Sequence, residues 1–337
     1  MSAAAARALI SPCPAPPAPE PSPTLTVIIA TRERPLLLLQ TVENLLAQSV
    51  LPQQIIIVDQ SRDPDARSAV VARAARRPML GLSYIHAPQI PGAAAARNYA
   101  MAFALGAVWL FLDDDVRLEL DFIAALLAAY RREPQATGIS GIITNYTPAR
   151  WSVRLWSQTF WRGPFADDRQ PIYWRAGALR SSAPQAVSRL GGGLMSFRAS
   201  AVRGLRFDPR LTGRALAEDV DFCFRLPPGS TLWIAPAARL EHIGARHCHS
   251  APHALAEAAQ AAWYLHRSHP NRHPRQRWLF VWLNAGLVLA AIAACLHRRS
   301  TAPWRALAQG IATARALHRR KRGPVPRRPY RRNLDTP

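Results

Sequence analysis

The run "LTVIIA", Leu25 to Ala30, is apolar or β-branched throughout, without polar alternation, which is the pattern of a strand buried on both faces. Pro35 suits the first turn of a helix, and "LLLLQTVENLLAQS" continues it with helical spacing. A second buried strand, "QQIIIVD", ends on an acid, Asp59. There follow a helix in "DARSAVVARAARR", a strand in "GLSYIHA", a helix in "PGAAAARNYAMAFAL" and a fourth strand in "GAVWLFLDDD". This alternation predicts an α/β domain with a mostly parallel sheet flanked by helices. Ligands of such sheets bind beyond the carboxyl ends of the strands. Three strands here end in polar residues, namely Thr31-Arg32-Glu33, Asp59, and Asp113 to Asp115, so these ends should meet in one crevice.

Tyr130 to Arg189 is less regular and rich in Trp, Arg and Pro. After it come a Gly-rich turn with a short helix ("LGGGLMSFRASAVRG"), a helix with acids in its first turn ("ALAEDVDFCFRL") and a strand running into a His-rich loop ("STLWIAPAARLEHIGARHCHS"). Ala254 to His266 has helical spacing, and no repeat of fixed period is present. The predicted organisation is a Pro-rich disordered leader over 1–23, a catalytic-type α/β domain over 24–250, a helical extension over 251–318 and a basic disordered tail over 319–337. The N-terminus lacks an apolar core segment and does not read as a signal peptide.

Trp278 to Leu296 holds nineteen residues without a charge. As a helix it would be about 28 Å long, close to a ~30 Å bilayer core. Arg272, Arg275 and Arg277 precede it, and Arg298 and Arg299 follow. A single crossing would carry the basic tail out of the cytoplasm, against the positive-inside rule. An interfacial or re-entrant helix is therefore preferred, ahead of a buried soluble helix and of a true span.

Charge changes the picture mainly at that end. The 337 residues carry a net charge of +22, and the segment from His297 to Pro337 contains twelve Arg or Lys against one acid, Asp335. Such a tail suits an anionic membrane surface or another polyanion, or is simply solvated. Nucleic-acid binding would need basic and aromatic residues interleaved on one face, whereas the strand ends here are acidic. The four cysteines, Cys13, Cys223, Cys248 and Cys295, form no disulfide ladder and no CxxC pair, as suits a reducing cytoplasm.

Side chains alternate along a strand, so Asp113 and Asp115 share a face and Asp114 points the other way. Two carboxylates aimed at one spot suit Mg²⁺ or Mn²⁺, although acidic turns also occur without metal. In "AEDVDF", Glu218 and Asp221 are one helical turn apart; the acids there are either helix-dipole partners or a general base. His242, Cys248, His247, His249 and His253 lack the pair spacing of a four-ligand zinc site; one of these His could join Asp115 on a cation. "GGGLMSF" has no GK[ST] and the first strand no GxGxxG, which excludes a P-loop and argues against a nicotinamide or flavin enzyme.

Taken in order, "TVIIATRERP", "IIIVDQSRD", "PGAAAARNYAM", "WLFLDDDV", "LGGGLMSFRASAVRGLRFDPRL", "AEDVDFCFRL" and "LWIAPAARLEHIG" resemble the family 2 glycosyltransferases of the GT-A fold, non-processive and bacterial in type, over about Leu25 to Gly244. The resemblance implies an inverting transferase that uses a nucleotide-diphospho-sugar and Mn²⁺ or Mg²⁺. It implies that Thr31, Glu33, Asp59 and Arg97 lie at the nucleotide, that Asp113 approaches the ribose, and that Asp115, with Asp113 and His242, holds the metal. Asp219 would be the general base, with Glu218 and Arg225 shaping its site. The acceptor would be a lipid-linked or cell-surface glycan of cell-envelope polysaccharide biosynthesis, and the place of action the cytoplasmic face of the inner membrane. A catalytically inactive binding protein on the same fold is the alternative. Two positions depart from the pattern: Gln60 replaces a common second acid after strand two, and Ala217 a common Gly before the Glu-Asp pair. The processive QxxRW motif is absent, "RQRW" at Arg275 to Trp278 having the wrong spacing.

Overall fold

The computed structural model describes residues 23–146, 150–174, 183–211, 217–246 and 251–319. The leader up to residue 22, the loop with His247, Cys248 and His249, and the basic run from residue 320 lie outside the described residues.

In chain order the elements are β1 (Leu25–Thr31), α1 (Pro35–Leu46), β2 (Gln54–Asp59), α2 (Arg67–Ala74), β3 (Gly81–His86), α3 (Gly92–Ala100), β4 (Val108–Leu112), β5 (Val116–Leu118), α4 (Phe122–Arg132), β6 (Gly138–Ile143), α5 (Trp151–Phe160), α6 (Gln170–Trp174), β7 (Gln185–Val187), β8 (Leu194–Arg198), α7 (Ala199–Val202), α8 (Glu218–Phe224), β9 (Leu232–His242), α9 (Ala251–Ser268), α10 (Gln276–Arg298) and α11 (Ala302–Arg319). The strands form one sheet in the order β3-β2-β1-β4-β8-β6-β9-β5, with β7 on β9. Strands β3, β2, β1 and β4 are parallel, and β8 pairs antiparallel with both β4 and β6. The sheet is therefore parallel in its first half and mixed in its second.

The continuous apolar strands are explained by helices on both faces. Val27, Ile29, Ile55, Ile57, Leu110 and Leu112 face a core completed by α1 and α4. Their neighbours Ile28, Ile56, Val58, Trp109 and Phe111 face the other side, against the alanines of α3 and Phe197, Phe207 and Phe222. Each such residue contributes about 1.5–3 kcal/mol by leaving water, which outweighs any local preference in these short strands. Because Thr31 and Asp59 are in register and β4 pairs with β1, the carboxyl ends of β1, β2 and β4 do meet.

The last three helices pack together and onto α8. A Cβ on Gly310 of α11 would run into the Ala256 carbonyl of α9, so these helices cross with no side chain between them. Val220 and Phe224 of α8 pack with Tyr264, Leu265 and Leu317. Asp221, fully buried, lies 2.9 Å from Nε2 of His269, the residue just after α9, and pairs with Arg225 at 2.7 Å. Part of the basic C-terminal stretch is thus folded: Arg305 and Arg315 sit on α11.

Removing one partner of a buried charge pair strands the other, at a typical cost of about 3–5 kcal/mol, less here because Arg225 reaches solvent. Asp221→Ala should lower unfolding stability by about 2–4 kcal/mol in urea titration. A loss below about 0.5 kcal/mol would show that Asp221 does not tie α8 to the turn that follows α9.

Candidate active site

The triple aspartate follows β4, where Asp113 N–H donates to the Gly193 carbonyl at 3.2 Å. The chain then enters β5, whose antiparallel register sets Val116 opposite His242 at the end of β9. That pairing delivers His242 to the aspartates. Its Nε2 stands 3.3 Å from Asp113 Oδ2 and 3.4 Å from Asp115 Oδ1. The His242 backbone is clamped by Asn145, whose amide exchanges two 3.0 Å hydrogen bonds with it. One ligand atom from each of Asp113, Asp115 and His242 lies within 4.8 Å of the others.

This donor set suits a hard divalent cation. Asp115 Oδ1 is buried and has no hydrogen-bond partner despite its ionic contact with His242. Leaving such an oxygen unsatisfied costs about 1–3 kcal/mol or more, and a cation removes that cost. The space is kept open by glycines: a Cβ on Gly193 would stand 2.6 Å from Asp113 Oδ2, and one on Gly244 would collide with Asp115 Oδ2. Burial and the Asp113 charge raise the Asp115 carboxyl, against His242 and Arg34. The hydrogen bond with Asp113 raises the His242 imidazole, against burial.

Asp114 points to the opposite side. It accepts from Thr31 Oγ1 at 2.6 Å and from Arg34 at 3.2 Å, while its carbonyl accepts from Thr41 Oγ1 at 2.8 Å. Burial and the two neighbouring carboxylates push it up to about 6, against the Thr31 hydrogen bond and Arg34. Arg34 also reaches Asp115 Oδ2 at 3.0 Å, so a cationic group already sits on the rim of the cluster. Thr31 is therefore engaged with Asp114.

Across the crevice stands the first turn of α8. Its three acids divide: Asp221 turns inward to His269 and Arg225, while Glu218 and Asp219 face Gly192. Asp219 is held by two backbone N–H groups, from Gly192 at 2.9 Å and Val220 at 2.8 Å. Ala217, before the pair, has φ 105°, in the region that favours glycine, and so carries the strain that the usual Gly would relieve. Burial and the Asp219 charge push Glu218 up to about 7, against Arg97.

Arg97 joins the two halves. It is buried on α3 and donates to Glu218 Oε1 at 3.2 Å, Asp113 Oδ1 at 3.3 Å and the Gly192 carbonyl at 2.8 Å. Asp59, at the end of β2, accepts from Ser61 N–H at 2.9 Å and from Tyr84 Oη at 2.5 Å. Glu33 is exposed, has φ 54° and accepts from Arg62 N–H at 3.1 Å. Gln60 explains one departure. Its amide nitrogen donates to the carbonyls of Ile90 and Gly92, tying down the entry to α3, and a carboxylate there could not donate.

The structure thus gathers Asp113, Asp115 and His242 into one cluster, and Arg97, Glu218 and Asp219 beside it. Thr31, Glu33 and Asp59 line the β1 and β2 ends of the same crevice. Sequence reasoning missed Arg34, Asn145 and Arg169. The Arg169 guanidinium is gripped by Asp167 at 2.8 and 2.9 Å, and its Nη1 lies 4.0 Å from Asp219. Only Arg34, beside the first acidic strand end, had a legible signal in its position.

A mixed sheet of this topology, with an aspartate pair and a histidine facing a helix-borne acid pair, defines a GT-A glycosyltransferase. The family model "Glycosyl transferase family 2" matches residues 26–198, and the chain belongs to that family. It is 27% identical over 214 residues to "Succinoglycan biosynthesis protein ExoM" of Rhizobium meliloti (strain 1021), covering 62% of this chain and 63% of that protein, under two thirds of the relative's length. In fold it is similar to mannosyltransferase PcManGT from Pyrobaculum calidifontis, solved with GDP-Man and Mn²⁺ (TM-score 0.52, 17% identity, 92% of this chain and 90% of that one). It is also similar to GalNAc-T7, solved with UDP, GalNAc and Mn²⁺ (TM-score 0.51, 16% identity, 79% of this chain and 55% of that one).

A buried acid whose folded value lies above its free value is stabilising while protonated and loses that contribution as pH rises. For Glu218 the window runs from about 4.5 to about 7. In metal-free protein, Glu218→Gln should gain stability relative to the parent chain between pH 5 and pH 8, by about 2 kcal/mol in paired urea titrations. A difference independent of pH would show that Glu218 is not held protonated.

Proposed function

We propose that the protein is a metal-dependent, inverting, non-processive glycosyltransferase. It moves one sugar from a nucleotide-diphospho-sugar to a hydroxyl of a lipid-linked or cell-surface glycan. The observation that carries the reading is the placement of Asp113, Asp115 and His242 opposite Asp219, with buried Arg97 between the two groups. The metal-bound neighbours and the polysaccharide-biosynthesis relative support it.

In this reading Asp115, Asp113 and His242 hold Mn²⁺ or Mg²⁺. The cation, when bound, neutralises the charge that develops on the departing nucleoside diphosphate. Thr31, Glu33 and Asp59 border the base and Asp113 the ribose. Arg97 orients Asp113 and Glu218 together, so donor and acceptor sides keep a fixed relation. Asp219 takes the proton of the acceptor hydroxyl, its carboxylate aimed by the Gly192 and Val220 N–H groups. Attack comes from the face opposite the leaving group, and the anomeric centre inverts.

The place of action in this reading is the cytoplasmic face of the inner membrane. Attachment is peripheral or monotopic, through the apolar helix α10 and the Arg-rich C-terminus. Among the described residues α10 is the one helix long and apolar enough to cross a bilayer.

Purified protein with Mn²⁺ and a panel of nucleotide sugars should release nucleoside diphosphate in the presence of membrane glycolipid. Asp219→Asn should keep donor binding and lose transfer by about 10²–10⁴-fold. Absence of release and of Mn²⁺-dependent donor binding across the panel would contradict the reading. Unchanged transfer in Asp219→Asn would remove Asp219 as the base.

A further inference from the structure

The outer side of α10 is an unbroken apolar stripe. Trp278, Val281, Trp282, Leu289, Ile292 and Leu296 follow helical spacing and are all exposed. The opposite side carries Leu283, Leu287 and Ala291, which are buried against α9 and α11. Alongside lies α5, a ten-residue helix with no buried residue. Gly286 of α10 is packed so closely on Phe160 that a Cβ would collide with the ring. Trp282 Nε1 donates to the Thr159 carbonyl at 2.8 Å, and its ring centroid is 5.1 Å from that of Phe160. Trp151 and Leu155, one turn apart on α5, remain 77% and 58% exposed.

Charge says what covers this surface. No Asp or Glu occurs between Tyr146 and Ala166, nor between Ala258 and Leu334. Arg150, Arg275, Arg277, Arg298 and Arg305 are all exposed on or beside these helices. An apolar surface bordered by arginines and without acids repels a basic partner and offers no charge attraction to a neutral one. A bilayer of anionic lipid matches both features: apolar area enters the headgroup boundary, and each Arg gains about 1 kcal/mol from the surface potential. The tryptophans suit the headgroup level.

We infer that α5 and α10 form one paired docking face that lies along an anionic bilayer, with α5 as a second insertion element. The inference rests on the membrane attachment proposed above and adds its geometry. α10 lies in the interface and does not cross it, because its inner side is committed to α9 and α11, and arginines of α11 would otherwise enter the hydrocarbon. The chain that follows α5 runs on to Arg169, 4.0 Å from Asp219, and so connects the docking face to the proposed base.

The test uses the full chain and flotation on vesicles of phosphatidylglycerol and phosphatidylcholine at 0.1 and 0.5 M NaCl. Far-ultraviolet circular dichroism serves as the folding control. Wild type should float at both salts. The double variant Trp151→Ser/Leu155→Ser, folded as wild type, should float at low salt and fall at least tenfold at high salt, where the arginine attraction is screened. Fluorescence of Trp151, read as wild type minus Trp151→Ser, should be quenched by bromine-labelled acyl chains. Wild type that floats with no change in the double variant and no Trp151 quenching would overturn the role of α5 while leaving attachment through α10 standing. Wild type that never floats would overturn both. A dimer lost in the double variant, with flotation unchanged, would assign the α5 surface to a second copy and overturn the inference.

Discussion

Carboxylates of Asp113, Asp115, Glu218 and Asp219 share one crevice, and their mutual repulsion must be offset for the domain to fold. Buried Arg97 does this from the centre, reaching Asp113 at 3.3 Å and Glu218 at 3.2 Å. Unit charges at such distances interact by several kcal/mol at the effective dielectric of a protein surface. Arg34 pairs with Asp114 and Asp115, and Arg169 approaches Asp219 at 4.0 Å. The arrangement leaves Asp115 Oδ1 without a hydrogen-bond partner and Glu218 pushed up to about 7 by burial and the Asp219 charge. One lies where a cation is proposed to bind, and the other beside the proposed base. Stability has been given up at those two points, as is usual where a fold carries chemistry.

The rest of the domain serves to bring these charges together. Parallel β1, β2 and β4 end side by side because both of their faces are buried and fix the register. The short strand β5 pairs with β9 and so returns His242 to the aspartates over more than a hundred residues of chain. The C-terminal helices reach the same centre through Asp221, which shares α8 with Glu218 and Asp219. Attachment at α5 and α10 would therefore bear on a helix that holds the proposed base.

Much of this was legible in the chain. The buried strands showed as unbroken apolar runs, and the acid-ended strands pointed to one crevice. Alternation alone separated Asp114 from its neighbours. Other parts were hidden for physical reasons. β8 is five residues behind a Gly-rich turn and borrows its strand character from β4 and β6, so "GGGLMSF" read as a turn. β5 is three residues long, and its pairing partner is far away in sequence. α4, Phe122–Arg132, follows the acidic run directly and has no side-chain cap to announce it. Arg97 was placed at the nucleotide by resemblance; its bridging role depends on the small alanines of α3 that let the helix approach the sheet. Gln60 and Ala217 looked like simple departures from a pattern. One proves to be an amide doing what a carboxylate cannot, the other a strained turn.

The central claim is that Asp113, Asp115 and His242 form one cation site. Its most direct test is electron paramagnetic resonance of Mn²⁺ bound to protein labelled with ¹⁵N in histidine. The account predicts one coupled imidazole nitrogen, lost in His242→Ala, and Mn²⁺ affinity at least tenfold weaker in Asp115→Asn. Mn²⁺ bound with no nitrogen coupling, or bound equally well by both variants, would contradict it.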